Sequence, residues 1–166
     1  SISVNQIYDN PVANDISIIV YEDSQETTIE LQASTVEFEN NGTVPFFQIN
    51  EQPSNGTLDV IIGGDGTYIM SAVTYTPNLN YEGSDSFTYR GFDVTQGYDN
   101  VFSSNIATVD ITITGIQDPP SMPYTNPSPV VTDEETHVSI ELIGDDPDYG
   151  EELTLWIVNE PENGTL

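Results

Sequence analysis

The chain has no cysteine, and only one of its 166 residues, Arg90, is a lysine or arginine. The first absence removes a disulfide framework and any thiolate metal site. The second leaves no basic patch to hold a polyanion, which argues against nucleic acid and an anionic membrane surface as partners. With one histidine and no lysine, only carboxylates remain as acids and bases. A nucleophile would lack its usual activator, so an enzyme is not expected. No apolar run approaches the roughly 18 residues of a membrane span. The first residues also lack the basic and apolar regions of a secretory leader. No direct membrane insertion by this segment is expected, and any anchor or export signal is expected outside it.

What is present is acid. Asp and Glu total 28, for a formal charge of −27. Most of these carboxylates are read as a solvated surface that keeps the protein soluble. Hydrophobic residues make up 36% and aromatic residues 10%, too much apolar material for a disordered acidic tail. The chain should fold. Its length allows one ordinary domain with pieces of its neighbours.

Self-similarity organises the rest. Asn55-Gly56-Thr57-Leu58 recurs as Asn163-Gly164-Thr165-Leu166, 108 residues on, each behind a proline (Pro53, Pro161). Ile29-Glu30-Leu31 answers Ile140-Glu141-Leu142, and Glu22-Asp23 answers Glu134-Glu135. Ile2, Val4, Ile7 and Asp9 before Pro11 match Ile111, Ile113, Ile116 and Asp118 before Pro120. Residues 1–10 therefore read as the last strand of a preceding repeat, 11–120 as one complete unit, and 121–166 as the first part of an incomplete following repeat.

Within the unit, alternation of period two dominates, as in Thr108-Val109-Asp110-Ile111-Thr112-Ile113. Turn residues interrupt it every eight to twelve positions or so. No segment of ten residues holds a helical apolar period. The pattern predicts an all-β, immunoglobulin-like antiparallel β-sandwich of about seven strands. Its expected core is Ile18, Val20, Ile29, Leu31, Phe47, Ile49, Leu58, Val73, Tyr75, Phe87, Tyr89, Val109, Ile111 and Ile113. Asn41-Gly42, Asn55-Gly56, Gly63-Gly64-Asp65-Gly66 and Gly97 are expected to supply turns with positive φ.

Val73-Thr74-Tyr75-Thr76-Pro77 followed by Tyr81-Glu82-Gly83-Ser84-Asp85-Ser86-Phe87-Thr88-Tyr89 resembles the signature of cadherin-like, bacterial Ig-like tandem repeats. Such modules build very long surface adhesins. Pro11-Val12-Ala13-Asn14-Asp15 opens the unit in the family's manner, and Gln117-Asp118-Pro119-Pro120 sits in its linker position. The resemblance implies calcium at the junction near residues 118–121. Its ligands would be Glu22, Asn80, Glu82, Gln117, Asp118, Asp146 and Asp148, since calcium needs six to eight converging oxygens. Two positions depart from the pattern: Asn80 replaces an aspartate, and Gly115 stands where the linker's first aspartate would be. At the preceding junction Ala33-Ser34-Thr35-Val36-Glu37 replaces the Asp-x-Asp loop, so Asp9, Asn14, Glu37 and Glu39 are expected to bind calcium poorly or not at all.

Three Asn-Gly-Thr sequons, at Asn41, Asn55 and Asn163, are candidate glycan acceptors. For Asn55 and Asn163 a type I′ turn explains the dipeptide equally well. His137 reads as a surface strand residue. Arg90 is expected to pair with Glu82, Asp85 or Asp93. Trp156, Tyr98 and Phe102 are the aromatic candidates for a sugar platform.

These observations give a first expectation of an extracellular stalk, fibre or adhesin shaft stiffened by calcium, its partners being further repeats of the same chain. The alternatives are a glycosylated subunit of a cell-surface filament held by lateral or strand-sharing contacts to neighbouring subunits, and a carbohydrate-binding module for a cell-surface or polysaccharide ligand.

Overall fold

The computed structural model of the protein describes residues 10–34, 46–62, 69–95, 100–126, 128–148 and 150–166. The chain divides into two compact units, Ser1–Gly115 and Ile116–Leu166.

In the first unit the alternating segments become β1 (Val12–Ala13), β2 (Ile16–Tyr21), β3 (Thr27–Glu30), β4 (Ala33–Ser34), β5 (Phe46–Glu51), β6 (Gly56–Ile62), β7 (Ile69–Pro77), β8 (Gly83–Thr95), β9 (Asn100–Ser103) and β10 (Ala107–Thr114). The ladder runs β2-β10-β8-β5-β7-β3, with β6 on β7 and β9 on β8. Its β5–β7 step is one residue pair, Phe47 with Ile69. The ladder therefore parts there into the two layers of an immunoglobulin-like sandwich.

The expectation of purely antiparallel pairing needs one correction, because β2 and β10 are parallel, from Ile16↔Val109 to Tyr21↔Thr114. The first stretch of chain is shared between layers. β1 pairs with β4, and the chain then crosses at Asn14-Asp15 to close the open edge of β10, which an unpaired strand would leave as a template for association. Side chains hold the crossing. Asn105 mimics a strand by accepting from Ala13 N at 2.9 Å and donating to Ala13 O at 3.0 Å, and Asp15 accepts from Thr108 N at 2.8 Å.

Alternation puts one face of each strand into a common core. On β10, Ala107, Val109, Ile111 and Ile113 point inward and are buried, as are Val20, Ile29, Leu31, Phe47, Val73, Tyr75, Phe87 and Tyr89. Ile18, Ile49 and Leu58 are half-buried and pack against this cluster. Phe47 and Tyr89 meet edge to face, 5.9 Å between ring centroids. The Tyr89 hydroxyl lies 2.6 Å from Asn14 O and 3.0 Å from Gln32 O, donating to these carbonyls, and accepts from Gln32 N. One phenol thus ties β8 to both sides of the β1–β4 pair.

The same inward phase on β8 includes Asp85, two residues before Phe87. Its carboxylate is buried and accepts four hydrogen bonds, from Ser54 N (2.9 Å), Asn55 N (3.0 Å), Ser86 N (2.9 Å) and the Tyr75 hydroxyl (2.8 Å). Of the acids expected to pair with Arg90, the Asp93 side chain lies outside the described residues; Arg90 donates to Asn50 Oδ1 and not to Asp85. The acid is already fully engaged by the turn.

That turn is not the type I′ hairpin the dipeptide suggests. Among the described residues, positive φ occurs at Asp23, Asn80, Gly83, Glu135 and Gly150, and at neither Asn-Gly pair, 55–56 or 163–164. Gly56 is required for space: a Cβ there would stand 2.5 Å from two ring carbons and the hydroxyl oxygen of Tyr75. Tyr75 is fully buried and held by Asp85, so it cannot yield. Gly56→Ala is expected to cost about 1–3 kcal/mol by overpacking, read as a lower urea midpoint. A midpoint unchanged from wild type would show that Tyr75 can move after all.

The second unit repeats part of the opening of the first. β11 (Tyr124–Asn126) pairs antiparallel with β12 (Glu141–Ile143), whereas the equivalent Asp15–Ser17 of the first unit lies at the crossing and in β2. Ser121 N donates to Asp145 O at 2.8 Å, in the place of the Val12↔Ser34 pair. Glu135 has φ 57° and Asp23 φ 54°, so the two turns share one left-handed residue. The contrast lies in burial: Ile29 and Leu31 are 3% and 5% exposed, whereas their counterparts Ile140 and Leu142 are 39% and 41% exposed. His137 is exposed and, contrary to expectation, lies outside any strand.

Candidate functional site

The acidic residues proposed as ligands fall into two sets, one in each unit. In the first unit, Glu22 follows β2, and its N–H donates to Thr114 O at 3.0 Å, bringing the Glu22-Asp23 turn to the end of β10. Asp23 Oδ1 accepts from Asn80 N at 2.9 Å, which draws the segment before β8 to the same end. Glu22, Asn80 and Glu82 therefore share one end of the sandwich, Glu22 buried and the other two exposed.

The side chains of Glu82 and Glu22 come close to the backbone at Gly115. A Cβ at this position would lie 2.6 Å from Glu82 Oε2 and 3.3 Å from Glu22 Oε1. Two carboxylates lean over the bare backbone, and an aspartate in the family's manner would bring a third negative charge into their space.

In the second unit, Asp118, Asp146 and Asp148 are brought together. Asp118 N donates to Asp148 Oδ2 at 2.9 Å, and Asp148 N donates to Asp146 Oδ1 at 3.0 Å. Ser121 steadies the loop, its hydroxyl accepting from Asp145 N at 2.9 Å. Gln117 is exposed. Each set offers only oxygen, the donor a hard divalent cation takes, without the nitrogen or sulfur that zinc or copper favours. The donor chemistry fits calcium.

At the preceding junction Asp9, Glu37 and Glu39 lie outside the described residues, while Asn14 gives its carbonyl to Tyr89 and its N–H to Gln32 O. Of the sequon asparagines, Asn41 lies outside the described residues. Asn55 is half-buried and donates its side-chain amide to Ser84 O at 3.4 Å. Asn163 is exposed. Of the aromatic candidates, Trp156 is 82% exposed, Phe102 is half-buried, and Tyr98 lies outside the described residues.

Two participants escape a reading of the sequence. Asp85 looks like one more acid among 28, and only its place in the inward phase with Phe87 and Tyr89 marks it. Asp23 positions Asn80 through a left-handed turn that no glycine announces. Among the described residues, no helix is long and apolar enough to cross a membrane.

Comparison with known proteins places the fold in a family. No curated protein matches the chain. Residues 8–112 match the family described as bacterial Ig domain, a span that takes in β1 to β9 and most of β10. The chain belongs to the bacterial Ig domain family.

Proposed function

We propose that this chain is part of an extracellular structural protein, a stalk, fibre or adhesin shaft in which Ig-like units follow one another, and that calcium taken up by the carboxylates restrains bending between them. The observation that carries the reading is the repeated opening of the two units: the Ser121–Asp145 backbone link in the place of the Val12↔Ser34 pair, and the same left-handed turn, at Asp23 and at Glu135. Membership of a family whose domains are commonly exposed on bacterial surfaces supports it.

Calcium is the finer part of the proposal. Its support is the pair Glu22 and Glu82 over Gly115 in one unit and the Asp118-Asp146-Asp148 loop in the other. Like charges this close repel, and a divalent cation relieves the repulsion. Extracellular calcium modules bind at about 10⁻⁴ to 10⁻³ M. Small-angle scattering across that range should show the chain lengthen and stiffen, reversed by chelator and abolished in Glu82→Gln combined with Asp148→Asn. A profile indifferent to calcium removes the metal from the proposal and leaves the shaft standing.

A filament whose subunits share strands or pack laterally is the second reading, with calcium incidental and glycans at the sequons. The apolar exposure of the second unit favours it. Electron microscopy of native filaments, with sugar density at Asn41, would decide for it.

A further inference from the structure

The layer of the first unit built on β2, β10 and β8 gives one set of side chains to the core and turns the alternate set outward. Among the outward positions of β2, β10 and β8 from Ser84 to Phe92, Asp110 is the only acid and Arg90 the only cation. The others carry a hydroxyl or are apolar. The face is therefore neutral in a chain of formal charge −27. Two copies of so acidic a protein repel over most of their surfaces, and a neutral face is where they can meet.

Cross-strand register fixes the order of residues along this face. Asp110 stands beside Ser86 of β8, and Arg90 lies four residues further along β8, about 13 Å away at the rise of a strand. In the other direction, the next outward rows beyond Asp110 hold Ile19 beside Thr112 and Tyr21 beside Thr114. Ile19 is 73% and Tyr21 60% exposed. The next outward row beyond Arg90 holds Phe92 beside Phe46 of β5, both half-buried. The order is thus apolar, acid, cation, apolar, with equal steps at the two ends, and it reads as its own complement when reversed. Arg90 is held on the face by Asn50, and a guanidinium has further donors to offer.

We propose that this face binds a second copy of the chain, turned over about a two-fold axis between the Asp110 and Arg90 rows, so that each Arg90 meets Asp110 of the other copy and each Phe92 packs beside the other Ile19. An isologous contact of this kind closes on itself. From the Tyr21 row to the Phe92 row the face is roughly 33 Å long, and three strands make it about 15 Å wide, so on the order of 500 Å² is covered on each copy. The total, about 1,000 Å², stands at the lower bound for a specific interface, and the association is weak and reversible. The proposal gives the lateral-packing reading a surface and rests on that reading; it needs neither calcium nor shared strands.

Sedimentation of the whole chain from micromolar to millimolar concentration, with chelator present to prevent bridging by metal, should show a reversible monomer–dimer equilibrium. Ile19→Glu should weaken it about tenfold, by placing a carboxylate at the apolar end. Arg90→Glu and Asp110→Arg should each weaken it about tenfold. Mixing these two variants should restore it, because each then supplies at both contacts the charge the other lacks. Ile19 and Asp110 are exposed, so their variants should keep the wild-type urea midpoint. The proposal is overturned by a chain that stays monomeric, by a dimer indifferent to Ile19→Glu, by no gain on mixing, or by a dimer that forms only with calcium or only on added polysaccharide. A dimer indifferent to the variants removes this face and keeps lateral packing. Lateral packing itself fails if electron microscopy of native filaments shows no contact between neighbouring shafts.

Discussion

Replacing Asp85 with alanine is expected to lower the unfolding free energy of the first unit by about 3–5 kcal/mol. The carboxylate accepts from two successive N–H groups of the 54–55 turn, from Ser86 N and from the Tyr75 hydroxyl. Hydrogen bonds to a charged acceptor contribute about 1.5–3 kcal/mol each, and a donor left buried without a partner costs about 1–3 kcal/mol. The sum is tempered because the turn can relax toward water once released. Tyr75→Phe removes one donor and should cost about 1–2 kcal/mol. Asp85→Asn should fall between the two, since its amide keeps one acceptor but turns an N–H toward the turn's own donors. Urea unfolding followed by circular dichroism measures all three. If Asp85→Ala unfolds within about 1 kcal/mol of the wild type, the β6–β7 ladder and not the carboxylate holds the turn.

A second large effect lies at high pH. Tyr75 and Tyr89 are both fully buried. Burial pushes the Tyr75 phenol well above its ordinary value of about 10, and its hydrogen bond to Asp85 and the charge of that carboxylate push it further. Burial raises Tyr89 as well, opposed by its hydrogen bonds to the backbone of Gln32 and Asn14 and reinforced by the charge of Asp15. A phenol that ionises at about 10 in the unfolded chain but holds its proton in the fold contributes its full stability below pH 10. Stability then falls as pH rises toward the folded-state value, at ~1.4 kcal/mol per pH unit for each such phenol. In most proteins lysines titrate in the same range and obscure the effect. Here the only strong cation is Arg90, which does not titrate there. Unfolding free energy measured from pH 9 to 12 should therefore drop steeply in the wild type and clearly less steeply in Tyr75→Phe combined with Tyr89→Phe. Parallel curves would assign the alkaline loss to general charge repulsion.

Much of the sandwich could be read directly from the chain, because strands such as β10 alternate with a period of two. In Ala107–Thr114 every second residue is buried, and the core follows from counting. What periodicity cannot convey is which strand meets which. The parallel meeting of β2 and β10 depends on the crossing at Asn14-Asp15, and its fasteners, Asn105 and Asp15, look like ordinary loop polars. The Asn-Gly pair at 55–56 misleads for a related reason. Turn chemistry explains glycine by backbone freedom, whereas here the decisive partner is the Tyr75 ring, distant in sequence. The acidic residues proposed as ligands could be named from the sequence only as a set of positions. The leaning of Glu22 and Glu82 over Gly115, however, is a fact of packing that the sequence does not announce.

The parallel ladder between β2 and β10 also bears on tension. β2 lies near the start of the first unit and β10 at its end, and six residue pairs join them side by side. Two strands running in the same direction and pulled from opposite ends must slide past one another, so every rung is strained at once. A hairpin pulled at its two ends instead peels open one rung at a time. The edge that seals the sandwich against neighbours is thereby also a shear latch, and the force needed to break it grows with the number of rungs that must fail together.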